Sequence, residues 1–241
     1  MYMKFYYKEW DKQAVEFPQG TVLLDEADLA VLEMQPMYPE FLCWEVWAIN
    51  KVKENKEGYF DFNKNLLDIG AGLGEYCFLA PFKHAYAFEP NKRMIYKIHA
   101  NAVLYDRVDE IDTFQYLLSD KVEDLMFDGF FSEIGGGLSY DTSKAGVVKT
   151  TVLDTFNLNN IGLIKVDVEG MEEKVLRGGL GTIIRNNYPP ILFECWDVGM
   201  YGMPQDKHDS LFNFLKDFGY EIIEHWADSE THLAINSKYF N

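Results

Sequence analysis

Basic residues are scarce in this sequence. It contains 22 Lys and Arg against 39 Asp and Glu, which gives a formal net charge of −17 at pH 7. The averaged field of such a chain repels the phosphates of nucleic acids and the anionic headgroups of membranes. We therefore expect no nucleic-acid partner, and a polyanionic substrate is disfavoured.

Cysteines and metal-binding spacings are scarce as well. Cys43, Cys77 and Cys195 form no Cys-x-x-Cys pair, and each lies in an apolar stretch. Free cysteine is among the residues most often buried, so we expect buried thiols and neither a disulfide framework nor a structural zinc. The five histidines show no i, i+4 pair and no metal-ligand spacing.

Long apolar runs are absent. Glu9 and Asp11 interrupt the segment in which a signal peptide would need continuous apolar residues. No later stretch approaches the roughly 18 apolar residues of a membrane span. The sequence thus predicts a cytoplasmic protein without a membrane span.

The sequence also has no internal repeat and no linker rich in Gly, Ser or Pro. Its 241 residues fit one domain with a small extension. We predict an N-terminal cap over residues 1–62 and the main domain over residues 63–241. The cap contains apolar residues at helical spacing, namely Phe41, Trp44, Trp47, Ala48 and Val52.

From Leu66 onward, short apolar runs alternate with amphipathic stretches, which is typical of a parallel sheet with crossover helices. The predicted strands are 66–69, 86–88, 114–118, 163–166 and 191–193. Three further features are a β excursion with runs at 126–131 and 147–151, a helix at 208–218, and a final hairpin of 220–226 with 232–235. The pattern predicts an α/β fold whose parallel sheet ends in an antiparallel hairpin.

A glycine-rich turn follows the first predicted strand. Gly70, Gly72 and Gly74 stand between that strand and a helix start. Glycines let the backbone approach a ligand closely, and the free N–H groups of the helix start point towards it. The turn therefore predicts a site for a nucleotide-like ligand.

Two details distinguish this turn from a dinucleotide-binding fingerprint. Glu75 occupies the place where Gly-x-Gly-x-x-Gly requires its last glycine. Asp68, at the strand end, would repel a pyrophosphate but suits the cationic amino group of a methionine moiety. Glu89 follows the second strand, where an acidic side chain bonds ribose hydroxyls in this kind of fold.

These motifs resemble those of the FkbM-type methyltransferases. The resemblance rests on segments 68–76, 87–91, 118–120, 153–154 and 164–170, among which the run Lys-x-Asp-x-Glu-Gly is the most specific. It implies a Rossmann-like class I methyltransferase fold with a seven-stranded sheet, S-adenosylmethionine as methyl donor, and transfer to oxygen. The implied acceptor is a hydroxyl of a sugar, on a glycan or a glycosylated small molecule.

Site residues are carried over from the resemblance onto matching positions. Gly70, Gly72 and Gly74 would cradle the methionine end of the donor, with Asp68 and Glu75 beside them. Glu89 would bind the ribose. Ser119 or its neighbour Asp120 would meet the adenine edge, although an acid directly after the third strand is the more usual pattern.

Asp167 and Glu194 end the fourth and fifth predicted strands, where methyl group and acceptor should meet. A sugar hydroxyl is a poor nucleophile at neutral pH, so either a carboxylate removes its proton or a divalent ion such as Mg²⁺ lowers its pKa. Asp197 would add oxygen ligands to a metal site. In a third interpretation, Glu194 only pairs with Lys165.

Other readings stay open at this point. Glu169 and Glu172 stand at the start of the helix after the fourth strand, where acids interact favourably with the helix dipole, so a purely structural role is the alternative for them. His208 is a secondary candidate for a base. A nicotinamide-dependent oxidoreductase is disfavoured by the glycine spacing, and an inactive binding module by the intact loop.

Overall fold

The computed structural model describes residues 4–7, 12–17, 20–24, 46–127, 146–227 and 230–240. The strands are β1 (Lys4–Tyr7), β2 (Lys12–Phe17), β3 (Gly20–Leu24), β4 (Asn65–Ile69), β5 (His84–Phe88), β6 (Ile111–Phe114), β7 (Leu117–Leu118), β8 (Asp124–Phe127), β9 (Gly146–Thr151), β10 (Ile161–Val166), β11 (Ile191–Glu194), β12 (Tyr220–Ile223) and β13 (Thr231–Asn236). The α-helices are α1 (Val46–Glu54), α2 (Glu75–Leu79), α3 (Lys92–Leu104), α4 (Glu172–Gly178), α5 (Leu180–Arg185) and α6 (Gln205–Asp217).

Seven strands form the main sheet in the order β12-β13-β11-β10-β4-β5-β6. All neighbours are parallel except β13, which runs antiparallel to β11 and to β12. This arrangement confirms the predicted Rossmann-like α/β fold with its C-terminal antiparallel hairpin. The chain builds β4, β5 and β6 outward on one side and β10 and β11 on the other. A crevice is therefore expected at the carboxyl ends of β4 and β10, where the direction of strand order reverses.

The sheet is buried on both faces, as parallel sheets usually are. All six residues of β10 are buried. Because side chains alternate along a strand, Leu66 of β4 packs in a cluster with α1, α2 and α3, whereas Leu67 and Ile69 pack against α4 and α6. The two apolar layers hold the strand ends, and therefore the crevice, in a fixed geometry.

The third predicted strand, 114–118, is wrong in its extent and pairing. The chain leaves the main sheet at Phe114, where the N–H of Tyr116 bonds to the Phe114 carbonyl at 3.0 Å. The next two residues with strand geometry, β7, pair with β9 in a separate sheet of order β7-β9-β8. This break could not be predicted from the short apolar run, because hydrophobic periodicity does not show where the chain changes pairing partners.

The predicted β excursion matches β8 and β9, which pair antiparallel. Its central segment, 128–145, lies outside the described residues. The predicted helix at 208–218 corresponds to α6, which begins three residues earlier, directly after Pro204. Proline is tolerated at a helix start because its missing N–H would have no intrahelical partner there.

The N-terminal region contains an antiparallel sheet, β1-β2-β3, that was not predicted from the sequence. In the helix that follows, Ala48 and Val52 are buried as predicted, but Trp47 is 42% exposed. Phe41 and Trp44 lie outside the described residues. α1 and β4 pack in one core cluster, so α1 shares its core with the main domain. The domain boundary at residue 62 stays a prediction.

Two remaining expectations concern thiols and membranes. Cys77 and Cys195 are free and buried, and Cys43 lies outside the described residues. Within the part of the chain that the structure describes, no helix is both long and apolar enough to cross a membrane.

Candidate functional site

The glycine turn lies at the reversal point of the sheet. Gly70, Gly72 and Gly74 have φ of 75°, 55° and 85°, in the left-handed region that favours glycine. A Cβ on Gly70 would lie 1.7 Å from the Asp167 carbonyl oxygen, whereas a Cβ on Gly72 would meet no atom within 4 Å. The turn is thus packed tightly against β10 on one side and leaves a cradle on the other.

Glu89 joins the end of β5 to this turn. Its Oε2 accepts a hydrogen bond from the Gly72 N–H at 3.0 Å, and its Oε1 accepts one from the Asn91 N–H at 2.8 Å. Burial raises the pKa of Glu89 to about 7, against the opposing effect of these two N–H groups and of Lys165. The carboxylate therefore stands beside the cradle, with lone pairs left for further donors.

Asp68 is enclosed beneath the turn and has no exposed surface. The Cys77 thiol donates to its Oδ2 at 3.2 Å, and the Lys165 ammonium lies 3.8 Å from its Oδ1. Burial raises the pKa of Asp68, and the charge of Lys165 opposes that rise. A residue without exposed surface has no face turned to a ligand, so direct contact of Asp68 with an amino group is not supported by this geometry.

Lys165 links several parts of the site. Its ammonium donates to the Gly70 carbonyl at 3.0 Å and to Asp167 Oδ2 at 3.4 Å, and the side chain is 7% exposed. From its sequence position, Lys165 was predicted only as a partner of Glu194. The structure places it between Asp68, Asp167 and the glycine turn instead.

Carboxylates crowd the carboxyl ends of β10 and β11. Burial raises the pKa of Glu194, and the charges of Asp167, Glu169 and Glu172 raise it further, with a hydrogen bond between Glu194 and Asp167. Burial also raises the pKa of Glu169 to about 7, with help from Asp167 and Glu172. The two predicted catalytic acids thus lie together in one acid cluster, which comprises Asp167, Glu169, Glu172 and Glu194.

Glu172 has the structural role considered from the sequence. Its Oε1 accepts hydrogen bonds from the N–H groups of Val168 and Gly170, at 3.1 and 2.9 Å, and so fixes the turn before α4. Glu169 does not open that helix. It lies within the turn, at a φ of 55°, and the helix begins at Glu172.

Ser119 and Asp120, the two predicted adenine-binding residues, differ in their exposure to solvent. Ser119 has no exposed surface, its N–H bonds to the Thr151 carbonyl at 2.9 Å, and its hydroxyl bonds to Asp120 at 3.1 Å. Asp120 is exposed, and Glu75 is half-buried at the start of α2. The Glu89 N–H bonds to the Phe114 carbonyl at 3.1 Å. Of the residues directly after β6, Gln115 donates from its side chain to the Pro90 carbonyl at 3.4 Å, and so lies beside the segment that contains Glu89.

The secondary candidates lie beside β11 and have other partners. His208 stacks on Phe212 with ring centroids 4.3 Å apart. Asp197 lies 3.6 Å from His225, so it is an ion-pair partner of that residue when His225 is protonated. In the described ranges, no group of three or more His, Cys, Asp or Glu side chains is arranged to hold a metal ion.

Glu169 and Glu230 were missed as site residues. Glu169 was assigned to a helix start, and Glu230 was not considered. The charge of Glu230 contributes to the raised pKa of Glu169. Since β13 pairs antiparallel with β11, with Thr231 opposite Glu194, its first residues lie at the carboxyl end of the sheet. The predicted hairpin would have located Glu230 had its register with β11 been known.

Known proteins with a similar fold include two methyltransferases. The methyltransferase FkbM from Methylobacillus flagellatus is 16% identical, with a TM-score of 0.53 over 88% of this chain. The match covers 55% of that protein, so this chain spans about half its length. A protein from Staphylococcus aureus, provisionally named a caffeoyl-CoA O-methyltransferase, is 13% identical, with a TM-score of 0.52 over 87% of this chain and 92% of its own. At these identities the likeness shows the fold.

No curated protein matches the chain in sequence. The family model described as the methyltransferase FkbM domain matches residues 53–222, which is more than half of the chain. That range contains the glycine turn, Glu89 and the acids that follow β10 and β11. The chain therefore belongs to the FkbM methyltransferase family.

Proposed function

We propose that the protein is an S-adenosylmethionine-dependent O-methyltransferase whose acceptor is a neutral sugar hydroxyl. The observation that carries this proposal is the glycine turn itself, in which Gly72 donates to Glu89 and Gly70 packs against Asp167, next to the acids that end β10 and β11. The Asp167 carboxylate attracts a cationic sulfonium donor and repels an anionic acceptor. Family membership favours methyl transfer over the nicotinamide-dependent alternative.

The residues present fit the donor. Gly70, Gly72 and Gly74 would hold the methionine end, because the side of Gly72 that a Cβ would fill is empty. Glu89 would accept hydrogen bonds from the ribose, and Asp120, Gln115 and Tyr116 are exposed near the expected adenine end. When bound, the donor supplies an electrophilic methyl group on a cationic sulfur.

Asp167 and Glu194 would act on the acceptor. Asp167 is one-quarter exposed, so it has surface available to the crevice. We infer that its carboxylate, held by Lys165, accepts the hydroxyl proton while the oxygen attacks the methyl carbon in line. Glu194 would hold a proton at neutral pH and donate a hydrogen bond to Asp167 or to an acceptor oxygen.

This proposal is tested by incubating the purified protein with a panel of neutral and acidic glycans. The measured quantity is the conversion of S-adenosylmethionine to S-adenosylhomocysteine. We expect turnover with a neutral sugar. Binding of S-adenosylhomocysteine without turnover on any acceptor would favour an inactive binding module. If the protein neither binds nor converts the cofactor, the proposed site is wrong.

Replacing Glu89 with alanine should weaken binding of S-adenosylhomocysteine by about 1.5–3 kcal/mol. The variant removes charge-assisted hydrogen bonds to the ribose and also leaves the N–H groups of Gly72 and Asn91 without their acceptor. Titration calorimetry measures the loss. Glu224→Ala, an exposed residue after β12, is the control and should bind normally. Equal losses at both positions would contradict the assignment of Glu89.

Cofactor affinity should increase as pH rises from about 6 to about 8. The pKa of Glu89 is raised to about 7, so the ionised form that binds ribose hydroxyls best becomes populated over this range. We expect the affinity for S-adenosylhomocysteine to increase by roughly threefold to tenfold. Glu89→Gln should remove the dependence, whereas Glu169→Gln should keep it, although the pKa of Glu169 is also raised to about 7. A pH dependence that survives in Glu89→Gln would identify another group.

A further inference from the structure

Lys165 is a buried cation at the point where the glycine turn and the acid cluster meet. It lies in β10, opposite Asp68 of β4. Its side chain is 7% exposed. A charged ammonium is stable at this depth only when oxygens replace its water. The oxygens that do so belong to Asp68 and Gly70, at the end of β4, and to Asp167, just after β10.

Each of the three oxygens has a different relation to the site. The Gly70 carbonyl, at 3.0 Å, belongs to the first residue of the glycine turn. Asp167 Oδ2, at 3.4 Å, belongs to the proposed base. Asp68 Oδ1, at 3.8 Å, belongs to a fully buried carboxylate and has no hydrogen-bond partner among the described residues. One ammonium therefore contacts the cofactor turn, the base and a buried counter-charge.

We propose that Lys165 is a positioning residue that joins the glycine turn to Asp167 and holds the Asp167 carboxylate in its ionised, acceptor-facing arrangement. This inference rests on the proposed function, because it takes Asp167 as the base. Two further contacts support a fixed geometry: the Asp167 N–H bonds to the Ile69 carbonyl at 3.0 Å, and Gly70 allows the turn to touch the Asp167 carbonyl. The base and the turn are thus joined through both backbone and side chain.

The surrounding acids explain why a cation is needed there. Glu194, Glu169 and Glu172 all interact with Asp167 through their charges. Without Lys165, this repulsion would favour a protonated Asp167 that cannot accept the acceptor proton. Asp68 has no exposed surface, and its carboxylate, 3.8 Å from the ammonium, is a buried counter-charge for Lys165. The predicted role of Asp68 in cofactor binding then becomes indirect and passes through Lys165.

A double-mutant cycle with Lys165→Met and Asp167→Asn tests the inference. Lys165→Met should lower kcat by about thirtyfold with little change in the KM of the acceptor. In the Asp167→Asn background, the same change should lower kcat by less than about threefold, because the carboxylate that Lys165 holds is already gone. In both backgrounds the Kd of S-adenosylhomocysteine should rise by about fivefold, since the bond to Gly70 is lost in each.

The outcomes separate this inference from the proposed function. Near-native turnover of Asp167→Asn would refute the base itself. A second outcome is a large loss of kcat in Asp167→Asn, with Lys165→Met lowering kcat by the same factor in both backgrounds. This outcome would show that Lys165 acts only on structure, and it would overturn the inference. Because Lys165→Met leaves Asp68 buried without its cation, the cycle is repeated in an Asp68→Asn background if the single variant does not fold. Failure of that pair to fold would also count against a positioning role.

Discussion

Asparagine at position 167 is expected to reduce turnover by about a hundredfold or more, while cofactor affinity changes much less. The substitution keeps the size of the side chain and its hydrogen bond to Lys165, but removes the charge that accepts a proton. The proposed base lies outside the glycine turn, so the donor should still bind at that turn. Steady-state kinetics on the true acceptor and calorimetry with S-adenosylhomocysteine measure the two quantities separately.

Asp197→Asn serves as the matched control for this variant. Asp197 follows the neighbouring strand β11, but it is 53% exposed and lies beside His225. Its replacement should leave turnover nearly native. A comparable loss at both positions would mean that a general reduction of negative charge, rather than the base, determines the rate.

Treatment with EDTA decides between the two chemical schemes that the sequence leaves open. We propose the metal-free scheme, in which a chelator has no effect. Lys165 already bonds to Asp167, and an ammonium beside a carboxylate opposes binding of a second cation to that group. Loss of activity with EDTA and its recovery with Mg²⁺ would instead assign Asp167 and Glu194 as metal ligands.

The fold could be predicted from sequence because its signals are local. The apolar runs of β4, β5, β10 and β11 each lie between turn residues, and the glycine turn directly follows β4. Asp167 and Glu194 were located for the same reason, since both stand at strand ends and the carboxyl ends of parallel strands meet at one edge. The motifs of the FkbM family lie in the same segments.

Non-local features could not be predicted in this way. In the sequence, Lys165 is a single polar residue within an apolar strand. Only the pairing of β10 with β4 places it beside Asp68 and the glycine turn. Asp68 has the residue type of a ligand-binding acid, but burial is a tertiary property that its sequence position does not reveal. The break after Phe114 places Ser119 directly after β7, which pairs with β9 in a separate sheet, and this pairing is also non-local.

The largest loss of stability is expected from Gly70→Ala. The added Cβ would lie 1.7 Å from the Asp167 carbonyl oxygen, and a backbone atom cannot move aside without separating β4 from β10. The φ of 75° adds about 1 kcal/mol of strain for alanine. We expect the free energy of unfolding to fall by more than about 3 kcal/mol, measured by chemical denaturation.

Gly72→Ala separates the structural need for glycine from the ligand's need for space. Its φ of 55° gives similar strain, but its Cβ would meet no atom within 4 Å, so stability should fall by only about 1 kcal/mol. The methyl group would occupy the cradle, and affinity for S-adenosylhomocysteine should fall by about tenfold or more. Gly58→Ala, at a φ of 71° with equally open surroundings, controls for strain and should bind normally. Normal binding by Gly72→Ala would show that the open side of the turn is not where the cofactor lies.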